Sequence, residues 1–108
     1  MLKLIPSWFK RDKDICREDL VKPYVDRARQ ALLGDELPMA IAHLESGIKV
    51  APDHLEFYLQ RAQILQYGMN NYTRALRDYR HILRVLEPNP DHPLAAQCRR
   101  GMKDMMAS

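Results

Sequence analysis

Chemistry in this chain would have to begin with four histidines, two cysteines and four glycines. His43, His54, His81 and His92 are dispersed, and none stands in a His-x3-His or HExxH pair. A zinc site wants four ligands converging at short range, and no such set can be composed here. The four histidines read as polar surface or core-edge residues. Cys16 and Cys98 lie far apart and outside any CxxC spacing, which suits free thiols in a reducing compartment rather than a disulfide framework. Cys16 with a distant histidine lacks the orienting motif that an activated nucleophile needs. Gly34, Gly47, Gly68 and Gly101 fall at turns or packing positions, not in a phosphate-cradling loop. The expectation is a chain with no catalytic residue, no metal and no cofactor.

The elements that would carry any site are helices. In 108 residues, 46% are hydrophobic and 29% charged, the balance of a folded single domain. The formal charge of +3 is mildly basic, short of what would argue for nucleic-acid binding by itself. The opening Met1–Phe9 run is too short before Lys10-Arg11 for a signal peptide, and no stretch reaches the ~18 apolar residues of a membrane span. A cytoplasmic location is expected.

Residues 1–18 read as an arm, since Pro6 opposes a continuing helix and residues 10–14 are all charged. Helical spacing begins near Asp19 through Leu20, Tyr24, Ala28, Ala31 and Leu32, with Pro23 early in the segment and Gly34-Asp35 stopping it. Pro38 opens a second helix that Pro52 ends. Asp53 would cap a third helix carrying Phe57, Tyr58, Ala62, Leu65 and Tyr67, and residues 68–71 supply a turn. A fourth helix carries Ala75, Tyr79, Ile82 and Leu86 before the break at Glu87–Pro90, and Asp91 would cap a fifth. No segment alternates with a period of two. The fold class is all-α.

These helices repeat. Tyr24 recurs as Tyr58, Val25 as Leu59 and Arg27-Ala28 as Arg61-Ala62, at a spacing of 34. Ala40 recurs as Ala75, Leu44 as Tyr79 and Ile48 as Leu83, at a spacing of 35, and Pro52 recurs later as Pro88. A period near 34 with two helices per unit resembles the tetratricopeptide repeat family. Tyr24, Ala28, Ala40, Leu44 and Pro52 match that family's pattern in one unit, and Tyr58, Ala62, Leu65, Ala75, Tyr79 and Pro88 in the next. Leu94 and Cys98 fit a closing helix. The departures are Arg27 and Arg61, where the family favours an aliphatic, and an extra residue in each half of the second unit. The resemblance implies units over about residues 21–54 and 55–90, a capping helix over about 91–106, and a short right-handed superhelix. Ala28 with Ala40, and Ala62 with Ala75, would let paired helices approach closely.

The resemblance also implies a function: a protein-binding adaptor or assembly subunit that holds a peptide or helix in its concave groove. By repeat register that column would hold Val25, Arg29 and Leu32, then Leu59, Gln63 and Gln66, then Ala95, Arg99 and Met102. Arg29, Gln63 and Arg99 in one line would suit an acidic partner. The asparagines and lysines of the family's chaperone-tail clamp are missing from the column, so chaperone binding is not expected. Two further surfaces stand out. Arg74, Arg77, Arg80 and Arg84 form a stripe on the fourth helix, either the solvated side of an amphipathic helix or a dock for an acidic protein, anionic lipid or nucleic acid. Trp8 and Phe9, beside Lys10, Arg11 and Lys13, could fold back on the first unit, dock a partner, or lie in a membrane interface. Two units are few for a stacked array, which points toward self-association or membership of a larger complex.

Overall fold

The computed structural model describes the backbone of residues 4–107 and the side chains of residues 18–107. It is all-helical: α1 (Leu4–Leu33), α2 (Leu37–Val50), α3 (Leu55–Gln63), α4 (Tyr72–Val85) and α5 (Pro93–Ala107), with a π-helical turn over Ile64–Gly68 continuing α3. Each helix packs on the next in the chain, and α5 also reaches back to α3. Among the described residues no helix is long and apolar enough to cross a membrane.

α1 begins at Leu4, well before Asp19, so Pro6 falls in its first turn, where the missing N–H has no intrahelical acceptor to lose. Pro23, placed near a helix start by the sequence pattern, instead lies inside a 30-residue helix and removes one hydrogen bond from its ladder. The Trp8, Phe9 and Cys16 side chains lie outside the described residues.

Both interhelical hairpin turns solve the same problem in the same way. Asp35 (φ 59°) and Asn70 (φ 54°) adopt the left-handed conformation that short polar side chains tolerate. Glu36 N–H then donates to the Ala31 carbonyl at 2.8 Å, and Asn71 N–H to Leu65 at 2.7 Å, so the late carbonyls of the preceding helices are not stranded. The stop after α1 thus lies in Asp35 rather than in Gly34, whose φ is not positive. α4 starts on an Asn71 cap, whose side chain accepts from the Arg74 N–H. At α5 the cap is His92, whose Nδ1 accepts from Leu94 N–H at 3.0 Å, in place of the expected Asp91. At α3 the N-cap position is held by His54, whose side chain makes no capping bond.

Small residues set the spacing of the helices. Ala28, Ala40, Ala62 and Ala75 are all fully buried, so each hairpin closes on an alanine from either side. Gly47 performs the same service between hairpins: a β-carbon there would stand 2.7 Å from the Phe57 ring. The large core side chains Leu44, Phe57, Leu65, Tyr79 and Ile82 fill the remaining space. Cys98 of α5 is fully buried with them.

The π-helical turn explains the change of repeat period. Spacing is 34 up to Ala62 and 35 from Ala75 onward, so one residue is inserted between them. A π turn absorbs one residue without ending the helix, and here the Met69 N–H reaches back five residues to the Ile64 carbonyl at 3.1 Å.

Candidate functional site

The expected concave column does not arrive as one surface. Arg29, Leu32 and Arg99 are exposed, and Gln63 is half-buried. Val25 and Met102 are half-buried against the core, while Leu59 and Ala95 are part of it. Leu59 is only 6% exposed and is not offered to a ligand.

Gln66 is a further correction. Register pairs it with Leu32, which is exposed, yet Gln66 retains only 4% exposure. The inserted residue of the π turn rotates the chain, turning Gln66 inward and Tyr67 outward. An amide in a core needs partners, and both of its ends have them. Gln66 Nε2 donates to the Gly101 carbonyl at 2.9 Å, and the Tyr79 hydroxyl donates to Gln66 Oε1 at 2.7 Å. Burial pushes the Tyr79 hydroxyl pKa well above its ordinary value, so it stays a donor. Gly101 admits the arrangement, because a β-carbon there would lie 2.5 Å from the Tyr79 oxygen. This network ties the π turn, α4 and α5 together. Its signal in the sequence was the period slip from 34 to 35.

What does open to solvent lies beside the π turn. An apolar depression of about 390 Å³ is lined by Leu32 of α1, Leu37 of α2, Gln60 and Gln63 of α3, and Ile64, Tyr67 and Gly68. It therefore joins the first hairpin to the second, and it contains two members of the expected column, Leu32 and Gln63. Gln60 and Tyr67 were not foreseen. The Tyr67 hydroxyl donates to Asp104 Oδ2 at 2.7 Å, which fixes the ring at the rim and raises its pKa through that bond to a carboxylate. Arg29 sits one turn before Leu32, 3.7 Å from Asp26. Asp26 also accepts from Lys22 at 2.8 Å, and that bond draws its carboxyl pKa below the ordinary value. Arg99 is directed elsewhere, donating to the Pro90 carbonyl at 3.2 Å.

The arginine stripe also divides. Arg74 reaches across to α2, with its Nη2 3.2 Å from Glu45 Oε2. Arg77, Arg80 and Arg84 remain together with Thr73 and Leu76 around a concavity of about 310 Å³. The two departures from the aliphatic pattern also diverge. Arg27 lies over the Tyr24 ring at 5.6 Å. Arg61 makes the same contact with Tyr58 at 5.7 Å, and in addition grips the Asp78 carboxylate with two bonds of 2.8 Å. Glu45 stands 3.5 Å from its other side. Neither acidic partner was anticipated, because each lies at least 16 residues away in the chain.

Among the described residues no group of three histidine, cysteine or acidic side chains could hold a metal ion. His54 packs edge-on to Phe57 at 4.6 Å and His81 tilts onto Tyr58 at 4.4 Å, each serving a packing role. The Cys98 thiol is pushed up to about 11 by burial and is therefore a poor nucleophile. No protein-family model, curated protein or solved structure matches this chain.

Proposed function

We propose that the chain is a two-unit tetratricopeptide-like module with a closing helix, acting as an adaptor or assembly subunit that holds a segment of a protein partner. The observation that carries this reading is the apolar depression shared by α1, α2 and the α3–π segment. It is lined by α1 and the α3–π segment, which the repeat register relates, together with Leu37 of α2, and it is open to solvent. The buried alanines of both hairpins and the matching left-handed turns at Asp35 and Asn70 support the repeat assignment.

A partner helix or extended segment would place an apolar side chain against Leu32 and Leu37, over the buried Ile64 at the floor. Gln60 and Gln63 would satisfy its backbone or polar groups, and Arg29, one turn away, would favour an acidic residue next to the anchor. Arg99 has no part in this version of the site, and Gln66 acts only as internal support. Binding of this kind needs no chemistry from the chain.

A photo-crosslinking side chain at position 63 should capture the partner from its native complex, with Leu32→Glu and Arg29→Glu each reducing capture at least tenfold. The same probe at position 77 should capture little. Capture at 77 and none at 63 would move the binding surface to α4 and overturn this proposal.

A further inference from the structure

Most of the described arginines have something to do. Arg61 and Arg74 share Glu45, and Arg61 also holds Asp78. Arg29 faces Asp26, Arg27 covers Tyr24, and Arg99 caps a carbonyl. Arg77, Arg80 and Arg84 differ: among the described residues none of them, like Arg100 on α5, makes an ion pair or hydrogen bond, and these three share one helix face. At about 100° per residue they fall, with Thr73, inside roughly a 60° arc of α4, and all three are exposed. Like charges three and four residues apart on one helix repel one another, so this row stands against its own electrostatics. The three arginines line one concavity of about 310 Å³ together with Thr73 and Leu76.

We infer that this concavity binds a phosphomonoester. A guanidinium presents a planar fork that matches phosphate oxygens two at a time, and a hydroxyl can donate a further bond. Three cations around one small space match a dianion, whose arrival also relieves their mutual repulsion. The row is short, running about 10 Å from Arg77 to Arg84 at 1.5 Å per residue. A nucleic-acid track commonly engages about 6–10 phosphates, whereas this row can serve one phosphoryl group or two adjacent ones. Leu76 supplies apolar surface for the carbon substituent of an ester, which inorganic phosphate would leave unused. The site lies on different residues from the proposed groove and does not depend on it.

The test uses the full chain at neutral pH and physiological ionic strength, titrated with phenyl phosphate, inorganic phosphate and a single-stranded oligonucleotide. Calorimetry and the arginine side-chain NMR signals are the readouts. Phenyl phosphate should bind saturably and more tightly than inorganic phosphate, and more weakly at pH 5, where the monoanion prevails. Arg80→Gln and, separately, Arg84→Gln should each weaken binding at least tenfold with an unchanged thermal melt. Arg74→Gln and the groove variant Leu32→Glu should stay within twofold of the parent. Absence of saturable phenyl phosphate binding, or equal binding by Arg80→Gln and Arg84→Gln, would overturn the assignment. So would tighter binding of the oligonucleotide with a steep salt dependence, which would make the row part of an extended polyanion track.

Discussion

The two hairpins start from nearly the same words and arrive at different physics. Tyr24-Val-Asp-Arg27-Ala28 in α1 and Tyr58-Leu-Gln-Arg61-Ala62 in α3 put a tyrosine, an arginine and an alanine in identical register. Each arginine leans over its tyrosine at nearly the same distance, 5.6 Å and 5.7 Å. The partner helix makes the difference. Three residues beyond the packing alanine, α4 offers Asp78, while α2 offers His43. Arg61 is consequently drawn in, with its side chain only 18% exposed against a 6% exposed Asp78, and Arg27 stays in solvent. Repeated sequence therefore fixes a common architecture, while one side chain on the opposing helix decides where polar energy is concentrated.

The largest expected effect breaks that concentration. Asp78→Ala would leave the Arg61 cation half-buried with Glu45 as its remaining acid at 3.5 Å. Removing one partner of a buried pair costs about 3–5 kcal/mol, and this pair should fall near the lower end because Arg61 keeps some solvent. Urea unfolding of Asp78→Ala would measure it. A loss under about 0.5 kcal/mol, the size of an ordinary surface change, would mean the pair carries no more weight than its counterpart in the first hairpin.

The second effect tests what the hairpins share. Ala28 and Ala62 are both buried at hairpin contacts, so leucine at either should overpack the contact at about 1–3 kcal/mol. The cost should be larger for Ala62→Leu, because its helix continues into the π turn and is tied to α4 and α5 through Gln66. Thermal melts of the two variants that match the parent would show that the alanines do not set the spacing.

A third effect belongs to the second hairpin and the helix that closes it. Burial holds the Cys98 thiol at about 11, against 9.0 for an unperturbed thiol. The folded state therefore keeps its proton longer than the unfolded chain does. Stability from this group is complete below pH 9 and is lost as pH climbs from 9 through 11, by about 2 kcal/mol over that window. Tyr79 shifts in the same direction, so the comparison must be with Cys98→Ala. Its stability should decline less steeply over the same window, and identical slopes would mean the thiol is not buried as described.

How much of this was readable beforehand follows from the range over which each signal acts. Gly34-Asp35, Pro52, Asn71 and the Glu87–Pro90 break are local, and they do separate the helices. The alanine positions are periodic, and they are buried. The sequence pattern starts the first helix near Asp19 because Pro6 opposes a continuing helix, whereas α1 begins at Leu4 and a proline in the first turn costs no hydrogen bond. Gln66 was misplaced because register counting treats an inserted residue as a shift along the helix, whereas the π turn converts it into rotation. The Arg61–Asp78 pair was invisible since neither residue type nor spacing names a partner 17 residues away. Around the apolar depression, Leu32 and Gln63 stand where the register places them, and Tyr67 departs from it.

The smallest effect sharpens the opening comparison by trying to abolish it. Arg27 makes no ion pair among the described residues, so Arg27→Gln should change stability by less than about 0.5 kcal/mol. His43 stands where α4 carries Asp78, half-buried on the face of α2 that follows Ala40. His43→Asp would give the first hairpin the same acid at the same register. If the partner alone separates the two arginines, the new carboxylate should couple to Arg27, and a double-mutant cycle over Arg27→Gln and His43→Asp should return about 0.5–1 kcal/mol, the range of a partly exposed pair. The coupling stays below that of Arg61 with Asp78 because, among the described residues, no acid stands behind Arg27 as Glu45 does behind Arg61, and Arg27 has less cover from solvent. The same cycle run at high salt should lose much of its value, since exposed charges are screened. A coupling of zero at low salt would mean that the α1–α2 hairpin holds Arg27 out of reach by its backbone geometry, and the difference between the hairpins would then lie in how they close rather than in what their partner helices carry.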